Sequence, residues 1–286
     1  MAKKIGFIGQ GWIGKNYADD FEKRGFSVVR YSRENAYSGN KERISECDIV
    51  FIAVPTPTTQ KGFDDSIVRS VIPLIRKEST AVIKSTILPG TTESIQKEFP
   101  SVFVFHSPEF LTEVTAAHDA AHPDRNIVGI PNDTGEARMR AQEVIDVLPK
   151  APFEKICSAR EAEVIKYSGN CWFFTKVVFV NLLYDLSQEL GCSFEVVRDA
   201  MAADPRIGRT HLDPVHKSGR GAGGHCFIKD FAAFEEIYKS VVADPLGQAV
   251  LKSLREKNIE LLLESSKDLD LLRETYGERI KAHVKK

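Results

Sequence analysis

No CxxC pair occurs in this 286-residue chain, and its five cysteines (Cys47, Cys157, Cys171, Cys192 and Cys226) form an odd, scattered set. That pattern argues against both a disulfide framework and a cysteine-built zinc site. His118 and His122 stand one helical turn apart, but no third ligand follows and HExxH is absent, so no metal is expected. Charge of one sign is lacking too: 39 basic residues against 40 acidic ones leave a net charge of -1. No overall pull toward nucleic acid or an anionic membrane is therefore expected, and any anion site must be local. Long apolar runs are missing as well. The most apolar stretch, Cys171 to Leu186, is broken by Lys176 and Asn181 and falls short of the roughly 20 residues of a membrane span. Met1-Ala-Lys-Lys leads into an apolar run without the h-region of a secretory signal. A soluble, cytoplasmic protein is the expectation.

What is present is a globular composition, 42% apolar with 19 glycines. Short runs of Val, Ile and Phe (Ile5–Ile8, Ser27–Tyr31, Ile49–Val54, Ala81–Lys84, Phe103–Phe105, Ile127–Ile130) alternate with helical patterns through the first half. Strands separated by helices predict an α/β fold with a doubly wound parallel sheet. From Arg160 to Leu190 no proline occurs and apolar residues keep helical period, which predicts one long helix capped by Gly191. Ala203–Gly224, dense in Gly, Pro, His and Arg, reads as a long functional loop, and Gln248–Lys286 as amphipathic helices. The expected division is residues 1–157, a dinucleotide-binding domain, and 158–286, an all-helical domain around the long central helix. That helix and the apolar tail make a homodimer the default expectation.

Gly9-Gln10-Gly11-Trp12-Ile13-Gly14 follows the first strand and opens a helix, the context that gives a GxGxxG pattern its meaning. Gly9 suits the tight turn, Gly11 the approach of a pyrophosphate, and Gly14 close packing of helix on strand. The helix amides would then face the phosphates. An acid commonly ends the second strand to bind the ribose hydroxyls of NAD, but here the chain reads Tyr31-Ser32-Arg33. Ser32 in the acid's place and Arg33 beside it leave NADP open alongside NAD.

In the second half, Gly221-Ala-Gly223-Gly-His-Cys226-Phe-Ile-Lys-Asp230 sets a sparsely surrounded thiol at a helix start, where the dipole favours thiolate. Asp230 follows four residues later on the same helix face. Lys166 and Asn170 share that spacing on the long helix, and a cation with an amide suits an oxyanion.

Taken with Val54-Pro55-Thr56-Pro57, Lys84-Ser85-Thr86-Ile-Leu-Pro-Gly-Thr91, Ser107-Pro-Glu109-Phe110-Leu111, Pro123-Asp-Arg125, Glu163 through Lys166 to Asn170, and Asp204-Pro-Arg206-Ile-Gly208, these motifs resemble the UDP-glucose/GDP-mannose dehydrogenase family. The order matches from Ile5 to about Asp230. The resemblance implies a Rossmann-like cofactor domain and oxidation of a nucleotide-sugar primary alcohol to the uronic acid in two NAD-dependent steps. It implies that Cys226 captures the aldehyde as a thiohemiacetal that becomes a thioester, with Lys166 and Asn170 stabilising the oxyanion. Asp230 would support Lys166 or a water, Thr86 would hold the catalytic water, and Glu109 would act as general acid/base. Val54, Pro55, Thr56, Pro57, Ser85 and Thr86 would line the cofactor. Phe110, Leu111 and Glu113 would touch substrate or cofactor, Arg206 would reach the substrate, and Gly221 and Gly223 would border it.

Family members usually continue for another hundred residues or more, so the resemblance is to a short form lacking the C-terminal UDP-binding domain, with a separate chain as one way of supplying it. Lys217 and Arg220 are candidates for phosphate contacts. Two other readings stand beside this one. A 3-hydroxyacid dehydrogenase also joins a glycine loop to a helical domain with a Lys and a following Asn, but it performs a single oxidation and has no need of Cys226. A non-catalytic dinucleotide-binding subunit is the other.

Overall fold

The computed structural model describes residues 3–34, 36–59, 62–277 and 280. In chain order the elements are β1 (Ile5–Ile8), α1 (Trp12–Lys23), β2 (Val28–Tyr31), β3 (Ile49–Ile52), β4 (Thr58–Thr59), β5 (Gly62–Phe63), α2 (Ser66–Val71), β6 (Thr80–Ile83), α3 (Thr91–Glu98), β7 (Phe103–His106), α4 (Ala116–Ala121), β8 (Arg125–Ile130), α5 (Gly135–Val147) and β9 (Phe153–Ser158). There follow α6 (Ala159–Glu189), α7 (Phe194–Ala202), β10 (Val215–His216), β11 (Gly219–Arg220), α8 (Gly224–Val241), α9 (Pro245–Glu264) and α10 (Leu269–Tyr276). Two compact units result, one of residues 1–57 and 64–166, the other of residues 58–63 and 167–286.

The first unit is built on a seven-stranded sheet of order β2-β1-β3-β6-β7-β8-β9. The apolar runs become strands because both faces are covered: every residue of β1, β3 and β6 is buried. Phe7 stacks on Phe51 at 5.1 Å between ring centres and meets Phe21 of α1 edge-on at 5.3 Å. The sheet is not wholly parallel as expected, since β8 pairs antiparallel with β7. The reason lies in the connection. A six-residue α4 rises only about 9 Å, so the chain re-enters the sheet at the edge where β7 left it. Phe153–Ser158, absent from the strands expected from the sequence, is the edge strand β9, paired parallel to β8.

The chain passes from the first compact unit to the second after Lys166, inside α6. The first two turns of α6 are held to the sheet unit by Glu163, whose carboxylate accepts the amides of Gly90 (2.6 Å) and Thr92 (2.9 Å) and the Thr92 hydroxyl (2.6 Å). It thereby caps the otherwise uncapped N-terminus of α3. At its far end α6 stops as expected: Gly191 has φ +66°, and the Cys192 amide reaches back to the Ser187 carbonyl at 2.8 Å. In the second unit, Phe174 of α6 stacks on Phe231 of α8 at 3.8 Å, while Ile228, Ile259, Leu262 and Leu272 join α8, α9 and α10 in one cluster.

Candidate active site

The glycine loop has the geometry that its residue types require. Gly9 lies at φ +90°, and a Cβ there would fall 2.1 Å from the Ala53 carbonyl oxygen. One at Gly14 would fall 2.0 Å from the carbonyl oxygen of Gly9, so helix and strand pack at a distance only glycine permits. At Gly11 the same position meets nothing within 4 Å. Gly11 is also the N-cap of α1 and supplies no side-chain cap, which leaves the first helix amides to a ligand. Tight backbone on two sides and open space on the third fit a dinucleotide pyrophosphate. Gln10 donates to the Gly9 carbonyl at 3.0 Å, Ile13 packs on the core, and Trp12 is 41% exposed.

Beside this loop, the ends of β3 and β6 are stitched together. The Ser85 hydroxyl accepts the Val54 amide (3.0 Å) and donates to the Val54 carbonyl (2.7 Å), and the Thr56 hydroxyl donates to the Thr86 carbonyl at 2.7 Å. Pro55 is exposed and Pro57 half-buried. After β2, the Ser32 hydroxyl donates to the Glu34 carbonyl at 3.2 Å and Arg33 is exposed. No motif pointed to Arg30, which is 7% exposed. Its guanidinium pairs with Asp19 and Glu22, both at 2.7 Å, and reaches Gln10 at 3.5 Å. With Val28, Tyr37 and Asn40 these acids line a pocket of about 300 Å³.

A buried charge cluster occupies the carboxyl end of the sheet. Lys166 donates to Glu109 Oε1 at 2.7 Å and to the Glu109 carbonyl at 2.9 Å, and Glu109 Oε2 accepts the Leu111 amide at 2.8 Å. Both side chains are nearly inaccessible (5% and 4%), so this pair is one whose breakage strands a charge. The ring of Phe110 lies 3.8 Å from the Arg125 guanidinium. Lys84, the last residue of the apolar run Ala81–Lys84, is buried beside them; its ammonium donates to Ser107 Oγ at 3.1 Å and stands 4.5 Å from the Tyr17 ring centre. Burial pushes its pKa down to about 7, with Glu109 opposing and Lys166 reinforcing. Burial likewise lowers His106 to about 3 and raises Tyr17. None of Tyr17, His106 or Ser107 stood out in the sequence beyond the motif that contains Ser107. A lysine ending an otherwise apolar, buried strand run was the available signal.

The second unit contains the thiol. Cys226 is exposed and is the third residue of α8, whose N-cap is Gly223. Four residues on, Asp230 is 1% exposed; it accepts Asn170 Nδ2 at 2.6 Å and Lys229 Nζ at 2.5 Å. Asn170 is thus held by Asp230. The Lys166 ammonium is paired with Glu109. The Arg220 guanidinium is bound to Asp185 (2.6 Å) and Asn181 (2.8 Å). At Gly221 and Gly223 the chain's own atoms fill the neighbouring space: a Cβ would meet Asn258 at 3.1 Å in the first case and Asp268 at 2.1 Å in the second. Lys217, at φ +55°, turns the β10–β11 hairpin. Arg206 is exposed and paired with Asp204 at 2.6 Å, and Glu113 is exposed. Among the described residues, no group of three or more His, Cys, Asp or Glu could hold a metal, and no helix is long and apolar enough to cross a membrane.

A sheet with a glycine loop at the start of α1, joined to helices that carry a thiol, defines a dinucleotide-binding α/β protein. Residues 31–144 match the NAD binding domain of the UDP-glucose/GDP-mannose dehydrogenase family, and residues 160–259 match its central domain. The chain belongs to that family. It is 32% identical over 266 residues to UDP-glucose 6-dehydrogenase of Rickettsia typhi, covering 88% of this chain and 59% of that relative. It therefore spans less than two thirds of that relative's length. Among solved structures, a UDP-glucose dehydrogenase from the archaeon Pyrobaculum islandicum superposes with TM-score 0.76 at 26% identity, over 92% of this chain and 71% of that one. The 3-hydroxyisobutyrate dehydrogenase of Mycobacterium tuberculosis covers 99% of both chains with TM-score 0.72, but at 16% identity it shares the fold alone.

Proposed function

We propose that this chain oxidises the primary alcohol of a nucleotide sugar, of the UDP-glucose kind, to the carboxylate, with NAD as cofactor. The observation that carries this reading is the part-buried Asn170–Asp230 hydrogen bond, which ties α6 to α8, the helix whose third residue is the exposed Cys226. A simple alcohol oxidation needs no such thiol. A bound nicotinamide would supply the hydride acceptor for the two oxidations. Gly9, Gly11 and Gly14 admit its pyrophosphate, and Val54, Thr56, Ser85 and Thr86 shape the adjoining loops. Glu109 exchanges the proton of the reacting oxygen while Lys166 holds the carboxylate in place. Cys226 adds its sulfur to the aldehyde carbon, so the intermediate stays bound until the second oxidation converts the adduct to a thioester. Asn170, fixed by Asp230, donates to the oxygen that gains charge during addition and hydrolysis. Water then cleaves the C–S bond, releases the acid and regenerates the thiol.

Trp172, Phe179, Leu182 and Leu186 form an exposed apolar stripe on α6, and that stripe supports a homodimer as the working form.

The test is an assay of cofactor reduction over a panel of UDP- and GDP-sugars, with the stoichiometry counted. Two reduced cofactors per sugar support the reading, and one supports the single-oxidation alternative. Cys226→Ser should make no acid; full acid production by that variant would refute the thiol's role.

A further inference from the structure

Lys84 is a buried ionisable group for which the reading above has no task. It follows β6, is 3% exposed, and among the described residues meets no carboxylate at ion-pair distance. The titratable groups facing it come from several elements: Tyr17 from α1, His106 from β7, Glu109 from the loop beyond β7, and Lys166 from α6. One carboxylate is thus shared by two amines. Its two oxygens are already taken by Lys166 and the Leu111 amide, so Lys84 is left with a hydroxyl dipole and an aromatic face.

We propose that Lys84 is a positioning residue that acts as the proton-exchanging partner of the Glu109–Lys166 pair, only partly protonated while that pair is balanced and fully protonated when a second negative charge enters beside it. Only an N–H bond forms in this step: the amine lone pair takes a proton delivered from solvent, and no electron is lost or gained. The arithmetic of charge favours this. A protonated Lys84 would leave the buried cluster with a net positive charge, and an incoming alkoxide, thiolate or carboxylate would cancel it. His106 and Tyr17 cannot serve in its stead, because burial keeps both uncharged around neutrality. The identity of the incoming anion rests on the proposed function; the coupling among Lys84, Glu109 and Lys166 does not.

The experiment is NMR titration of the full chain labelled at lysine Cε, without ligand, from about pH 5 to about pH 10. One lysine signal should titrate near pH 7. It is assigned by its loss in Lys84→Met or, where that variant does not fold, by its displacement in Ser107→Ala. Glu109→Gln should lower the midpoint by about one pH unit or more, and Lys166→Met should raise it by a similar amount. Absence of any lysine titrating below about pH 9, or a midpoint that either substitution leaves in place, overturns the proposal. A chain that shows the coupled titration but reduces no cofactor with any nucleotide sugar would instead count against the proposed function.

Discussion

Glu163 and Thr92 lie 71 residues apart in the chain, yet one carboxylate oxygen, Glu163 Oε1, accepts both the amide and the hydroxyl of Thr92. A side chain on the long helix thereby finishes another helix, and does so one turn before Lys166. Glu163→Gln should lower unfolding free energy by about 1–3 kcal/mol, because the amide replaces one acceptor by a donor facing N–H groups. Urea unfolding of the two proteins measures this, and equal midpoints would show that the cap contributes little.

Asp230 positions Asn170 and does not itself touch the reacting atoms in the proposed scheme. Asp230→Asn keeps the volume but weakens the hold on Asn170, so kcat should fall by roughly a hundredfold while KM changes little. Steady-state kinetics with the accepted sugar nucleotide provide the check.

His106 is buried at the end of β7, and burial lowers its pKa from 6.5 to about 3. The unfolded chain binds this proton below about 6.5, whereas the folded chain resists until near 3. Stability from this group is therefore present above pH 6.5 and is lost as pH falls toward 3, at up to about 1.4 kcal/mol per pH unit. Across that window the urea midpoint of the wild type should fall relative to that of His106→Leu on acidification; parallel curves would contradict the burial argument.

Arg33 bears on cofactor choice. It is exposed after β2, and Ser32 presents a hydroxyl where a carboxylate would repel a 2'-phosphate. Arg33→Ala should leave NAD affinity nearly unchanged and weaken NADP about tenfold. Fluorescence titration with the two reduced cofactors distinguishes them.

The sheet was legible because its central strands are buried on both faces: Ile5–Ile8 and Ile49–Ile52 read as strands from their residues alone. The long helix was equally plain from its period and its glycine stop. Phe153–Ser158 was not, because a largely exposed edge strand whose apolar residues are split by Glu154 and Lys155 looks like a polar connector. At the site, the residue types and spacings named Lys166, Asn170, Cys226 and Asp230, yet they could not say which partner each would find. Lys166 meets Glu109 across 57 residues, and Arg220 meets Asp185 across 35. Such pairings depend on tertiary approach, which no local pattern encodes.

The segment Thr58–Phe63 leaves the sheet unit, joins the helical unit as a short hairpin, and returns before α2 begins. With the passage at Lys166–Tyr167, the backbone changes units three times. A protease that nicks only the long helix would consequently free neither half intact, and an expression fragment cut there would carry a strand pair whose native neighbours had been discarded.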